Sequence, residues 1–170
     1  RHFKLQFIAG RKIAMYIRFA ETRDIPGMIN LLQQVGEVHH QIRPDLFRAG
    51  AQKYDHADLE LLLKDENRPI LIADVDGAVA GYAFCILQDI QDDTVLCDRK
   101  VLYIDDICVD ENCRGQGIAT QLYRHVTEYA KNQGYGFITL NVWAGNDNAQ
   151  KFYEHLGFTV RNTHMESKLC

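Results

Sequence analysis

The run Arg114-Gly115-Gln116-Gly117-Ile118-Ala119 places two glycines where an amphipathic helix begins, just after an apolar strand pattern that ends near Val109. Glycine inside a helix costs about 1 kcal/mol relative to alanine, so two of them in a first turn call for a reason. Backbone N–H groups that must approach a ligand closely supply one. A helix's first turn has N–H donors without intrahelical partners and the positive end of the dipole, which together stabilise an anion such as pyrophosphate. A dinucleotide fingerprint needs a third Gly or Ala where Thr120 stands, and a P-loop needs Lys then Ser or Thr where Ile118 and Ala119 stand. Both of those motifs are excluded. The residues alone leave a second reason open, that the glycines ease a tight strand–helix turn.

Two carboxylates and a phenol could supply proton transfer. Asp105 and Asp106 interrupt the apolar strand 101–109, and a carboxylate beside a groove can act as a base or hold a cationic amine. Successive strand residues face opposite sides, so alternation lets only one of the pair share a face with such a groove. Tyr153 keeps its proton at neutral pH and can donate it. His39 and His40 are adjacent and so cannot face the same way on a helix, which argues against a metal pair. Cys108 has no identifiable His partner and reads as packing.

These residues need elements to hold them. Residues 15–20 alternate as a strand, and Thr22 can cap a helix carrying Ile25, Met28, Ile29, Leu32 and Val35. The pattern blurs over 37–50, and a second helix spans about 54–64. Strands follow over 69–74 and 78–87, joined by the hairpin pair Asp76-Gly77. A polar loop over 88–99 leads to the strand 100–109. The spacing then predicts a helix over 115–132, a strand over 137–142, a helix over 146–156 and two short terminal strands. In the last helix Asn146 is a good N-cap, Ala149, Phe152, Tyr153 and Leu156 share helical spacing, and Gly157 can end it. The meander in the middle rules out a plain doubly wound sheet, and a mixed α/β (α+β) sheet with helices on both faces fits.

The chain has 170 residues, 46% of them apolar, and a formal charge of −4, enough to fill one core. Its Lys and Arg form no basic stripe, so no nucleic-acid footprint is present. No apolar run approaches the roughly 20 residues of a membrane span. Cys85, Cys97, Cys108, Cys113 and Cys170 include no CxxC pair, which suggests neither a disulfide framework nor a zinc site, and reduced thiols fit a cytoplasmic protein. Residues 1–14 lack an initiator Met and read as a non-native or disordered leader, with one domain over 15–170.

Arg114-x-x-Gly117-x-Ala119 matches the motif [Gln/Arg]-x-x-Gly-x-[Gly/Ala] of the GNAT superfamily of N-acetyltransferases, which this sequence resembles. Asn146-x-x-Ala149-x-x-Phe152-Tyr153-x-x-x-Gly157-Phe158 resembles the family's C-terminal signature. The resemblance implies a mostly antiparallel sheet of about six or seven strands flanked by helices. It further implies transfer of acetyl from acetyl-CoA, with no metal, to a primary amine by direct attack in a ternary complex. In that family the backbone amides of the turn, here Arg114, Gly115, Gln116, Gly117, Ile118, Ala119 and Thr120, hold the CoA pyrophosphate. The strand residues Ile107, Cys108 and Val109 pair with the pantetheine arm, Asn146 contacts it with Asn148 a lesser candidate, and Tyr153 lies near the sulfur. The pair Asp105-Asp106 resembles that of polyamine and related diamine acetyltransferases, where the first assists deprotonation and the second touches substrate. Most of that subfamily has Glu where this chain has the shorter Asp105. The implied acceptor is the amine of a small molecule, polyamine-like or other, or of a peptide. A protein N terminus or lysine, and a non-catalytic acyl-CoA sensor, are the alternatives. The acceptor's determinants are expected in 36–53 and 88–99, and the terminal strands could mediate a homodimer.

Overall fold

The computed structural model describes residues 4–8 and 11–169. Five strands run as an antiparallel meander: β1 (Lys4–Ile8), β2 (Arg11–Phe19), β3 (Ile70–Val75), β4 (Ala78–Ile90) and β5 (Arg99–Val109). β6 (Phe137–Leu140) joins β5 in parallel, so six strands lie side by side in chain order. Between β2 and β3 the chain forms α1 (Ile25–Ile42) and α2 (His56–Leu62); α3 (Ile118–Asn132) crosses from β5 to β6, and α4 (Asp147–His155) follows. This is the mixed α/β class that the order of patterns indicated. Of the stretch read as a leader, residues 1–3, 9 and 10 lie outside the described residues. The rest supplies β1 and the beginning of β2.

Helices on both faces bury β3, whose Ile70, Leu71, Ile72, Ala73 and Asp74 are all inaccessible. One core packs Ile25, Met28, Leu31 and Leu32 of α1 against Ile70, Ile72, Tyr82, Phe84 and Cys108. The other packs Ile118, Leu122, Val126 and Ala130 of α3 against Leu71, Ala73, Ala83, Leu102 and Ile104. The hairpin between β3 and β4 turns on Asp76 and Gly77, with φ of +49° and +87°, as a two-residue loop with both central residues left-handed requires. Gly81 lets α3 lie close. A β-carbon there would stand 2.9 Å from the Cys108 carbonyl oxygen and 3.2 Å from Leu122. No helix among the described residues is long and apolar enough to cross a membrane.

Two local expectations differ from what forms. Thr22 does not cap α1; residues 22–24 make a short 3-10 turn, and the Asp24 carboxylate accepts the Glu21 N–H at 2.7 Å. Asp24 wins because Arg18 fixes it, donating from two nitrogens at 2.7 and 2.8 Å, while Arg18 Nε donates to Asp74 at 3.0 Å. The terminal strands do not form either. Residues 158–169 are without strand, and Val160, Met165 and Leu169 are 80%, 85% and 86% exposed. The polar run Arg161-Asn162-Thr163-His164 gives that tail no face to bury. The tail is tied instead by Glu166, which accepts from Arg43 just beyond α1.

Burial alone would raise the Asp24 carboxyl, but the bonds from Arg18 and the Glu21 amide outweigh it and hold it below its ordinary value. Its contribution is therefore complete at neutral pH and is lost as acid protonates it. Removing the cation strands two carboxylates that are only 4% and 3% exposed, Asp24 and Asp74. Arg18→Met should cost about 3–5 kcal/mol in urea unfolding at pH 7. A loss under about 1 kcal/mol, the value of a surface pair, would show that this trio is not a buried ionic joint.

Candidate active site

β5 carries one residue more than β4 at its middle. Phe84 pairs with Asp106 and Cys85 with Ile104, so Asp105 is the extra residue of a β-bulge. The bulge exchanges faces. Before it, Leu102 and Ile104 face the core under α3; after it, Asp106 and Cys108 face the side of α1 and α2. Alternation predicted that only one acid could serve one face, and the bulge corrects this. Asp105 Oδ1 accepts from Lys53 Nζ at 2.7 Å, and its Oδ2 accepts from the Tyr54 hydroxyl at 3.0 Å with Arg68 Nη2 4.0 Å away. Asp106 Oδ2 accepts from the Tyr82 hydroxyl at 2.6 Å. Tyr54 and Tyr82 both belong to the layer of α1 and α2.

The two acids are in different environments. Burial is the main cause that pushes Asp106 up to about 6, and the charge of Asp105 adds to it against the pull of Tyr82 and Lys53. Tyr82 is itself held well above its ordinary value by burial and by Asp106. Tyr153 is half-buried on α4, with ring centroids of Phe152 and Phe158 at 5.1 and 5.5 Å. Burial raises Tyr153 first and the charge of Asp106 second, so its phenol stays protonated and the two groups act on one another. Cys108 is buried, its thiol donates to the Leu31 carbonyl at 3.6 Å, and burial pushes it up to about 12. It is a packing residue, as read.

On its far side β5 loses its neighbour halfway. The register with β6 ends at Ile104 and Leu140, whereas β4 continues alongside to Val109. Ile107, Cys108 and Val109 therefore have a strand on one edge and, among the described residues, none on the other. Arg114 Nε folds back to donate to the Val109 carbonyl at 3.2 Å. Gly115 and Gly117 have φ of +75° and +77°, and a β-carbon at either would meet nothing within 4 Å. The backbone conformation demands glycine, and the space before it is open, so the turn is both tight and accessible. α3 starts after Gly117 with no side-chain cap, its first bond running from Gln121 N–H to the Gly117 carbonyl at 3.1 Å. Ile118, Ala119 and Thr120 are its first three residues. Asn146 accepts the Ala149 N–H at 3.2 Å and so caps α4, while Asn148 lies exposed on that helix's first turn.

Gln34, Gly36, Phe47 and Trp143, which carried no sequence signal, surround these groups together with His39 and His40. Gln34 on α1 clamps the turn after β5, donating to Asp110 at 3.0 Å and accepting the Glu111 N–H at 3.1 Å. Gly36 admits the following segment against α1, since a β-carbon there would stand 2.3 Å from the Ala51 carbonyl oxygen. That approach positions Lys53 and Tyr54. His39, Phe47 and Trp143 form an aromatic wall with ring centroids 5.0 Å apart at each step, tilted by 32° at the first and edge-to-face at the second. His40 spends its Nδ1 on the Phe47 carbonyl at 2.7 Å. Among the described residues no group of three His, Cys, Asp or Glu is placed to hold a metal ion.

An open sheet split at β5, with a glycine turn at the split, defines a fold class, and comparison with known proteins agrees with it. Residues 35–158 match the acetyltransferase (GNAT) family, and the chain belongs to that family. An uncharacterized N-acetyltransferase of Methanocaldococcus jannaschii is 34% identical over 97 residues, 57% of this chain and 42% of that protein. The chain spans about half the length of the first curated relatives it matches, 42%, 51% and 57%. An L-amino acid N-acetyltransferase of Escherichia coli is 28% identical over 151 residues, 86% of this chain and 84% of that one. The crystal structure of a tetramutant protein from Bacillus halodurans superposes with a TM-score of 0.86 at 28% identity, covering 91% of this chain and 99% of that one.

The buried thiol of Cys108 should resist iodoacetamide at pH 7.5 while the exposed Cys97 reacts. Mass spectrometry of the alkylated protein checks this, and equal labelling of the two would refute the packing assignment.

Proposed function

We propose that the protein transfers an acetyl group from acetyl-CoA to a primary amine of a small molecule, by direct attack within a ternary complex. The observation that carries this reading is Asp106, a carboxylate raised to about 6 that accepts from Tyr82 on the stretch of β5 beyond its register with β6, with its charge acting on the protonated phenol of Tyr153. Acetyl-CoA, when bound, supplies an activated acyl group as a thioester. The open N-terminus of α3 and the cleared space at Gly115 and Gly117 suit its pyrophosphate, received by the amides from Arg114 to Thr120. The free edge of Ile107, Cys108 and Val109 suits an extended amide-bearing arm, with Asn146 and Asn148 at the start of α4 nearby in role.

The chain's task is to manage protons. An amine with a pKa of about 10.4 lies roughly 3.4 units above neutral pH, so freeing its lone pair costs about 4–5 kcal/mol. Asp106 is ionised at pH 7 yet basic enough to receive that proton, directly or through a water. Tyr153 donates the proton that the departing thiolate needs. Asp105 is occupied by Lys53 and Tyr54, so it sets the local charge and leaves Asp106 as the base. The name of the Escherichia coli relative, an L-amino acid N-acetyltransferase, supports a small acceptor over a protein one.

Release of CoA thiol with an amine panel tests the reading. Turnover should fall as pH drops through about 6, because protonated Asp106 is no longer a base. Asp106→Asn should abolish that limb and lower kcat by roughly 10²- to 10⁴-fold, and Tyr153→Phe should lower kcat while acetyl-CoA still binds. Acetyl-CoA should raise the melting temperature of the wild type by mass action, and Gly117→Val should remove that rise. A shift that survives in Gly117→Val would displace the pyrophosphate from this turn.

A further inference from the structure

The acceptor side of the site is not simply acidic. Asp105 is met by two cations, Lys53 at 2.7 Å and Arg68 at 4.0 Å, so that side holds one positive charge more than Asp105 cancels. Asp106 adds a separate negative charge, bonded by the neutral Tyr82 hydroxyl. The result is a bipolar site with a carboxylate at one point and an excess cation at another. A dication such as a polyamine finds only one of those charges favourable. A molecule with an ammonium group and a carboxylate a few ångströms apart matches both.

The two cations also retain donors for a ligand. Lys53 has three N–H donors and spends one on Asp105; its side chain is 47% exposed. Arg68 has five and spends one on the Tyr54 hydroxyl at 3.0 Å; its side chain is 31% exposed. Both are held in place by one ring. Lys53 Nζ lies 5.4 Å and the Arg68 guanidinium carbon 5.8 Å from the centre of Tyr54, which itself packs on Phe84 at 5.7 Å. The charge of Lys53 also acts on Asp106, Tyr103 and His39. His39 begins the wall that runs through Phe47 to Trp143, a residue 44% exposed. That wall offers a side chain an apolar, aromatic surface beside the charges.

We propose that the acceptor is an amino acid, that Lys53 and Arg68 bind its carboxylate, and that Asp106 receives the proton of its amine. The inference rests on the transferase reading above and names the substrate class for the same site.

The test is thiol release by the full chain at saturating acetyl-CoA, with each standard L-amino acid set against its own carboxamide, and with spermidine. The amide's less basic amine is more fully deprotonated, which biases the comparison against the proposal. At least one amino acid, with L-phenylalanine the first choice for the aromatic wall, should exceed its amide in kcat/KM by about tenfold or more. Lys53→Met and Arg68→Gln should each shrink that acid-to-amide ratio by about tenfold, mainly through KM for the acid, and Lys53→Arg should largely restore it. A preference for amides or spermidine over every acid, or a ratio unmoved in both variants, overturns the inference and leaves the transferase reading standing. A wild-type protein that binds acetyl-CoA yet releases no thiol with any acceptor overturns both.

Discussion

A single unpaired residue in β5 governs the arrangement of everything around it. Without the bulge at Asp105, the strand would keep one parity throughout, and Asp106 and Cys108 would enter the apolar core beneath α3. With it, the first half of the strand anchors the core and the second half delivers polar chemistry to the opposite layer. Two adjacent carboxylates can then face one layer, at the cost of mutual repulsion. That cost is divided unequally: Asp105 takes a cation and a phenol, whereas Asp106 takes the neutral Tyr82 hydroxyl and a backbone N–H and is held up by burial.

The parting of β5 from β6 complements the bulge. Both occur at Ile104 and Asp105, so the strand exchanges faces at the point where it gains a free edge. The acids thus sit where an extended ligand could lie along Ile107, Cys108 and Val109, and the turn at Gly115 and Gly117 lies beyond the strand's end. α4 carries Tyr153, which packs on Phe152 and Phe158 and lies within the field of Asp106. Layers that belong to separate cores meet at this one seam.

Local signals in the sequence recorded the fold well and the site in part. The glycine turn, the Asp76-Gly77 hairpin, the stripe of α3 and the Asn146 cap each lie within a few residues, so their physics is visible in order along the chain. The shared face of Asp105 and Asp106 is not, because a bulge is decided by register against β4. Lys53, Tyr54, Arg68 and Tyr82 are ordinary surface or strand residues until folding gathers them around β5. Thr22 does not cap α1, because the chain there turns on Asp24, which Arg18, a strand residue, captures together with Asp74. The tail after Phe158 carries apolar residues at Val160, Met165 and Leu169 that find no sheet to join.

Gln34 links the two halves of the site through one amide group, its nitrogen serving Asp110 and its oxygen serving the Glu111 N–H. In terms of modularity, residues 37–50 can vary without touching the bonds that Gln34 makes to the turn after β5. Gln34 cannot follow them. Glutamate in its place would set a second carboxylate against Asp110, and a shorter side chain would lose the clamp. One position on α1 therefore belongs structurally to the turn after β5 rather than to the helix that carries it.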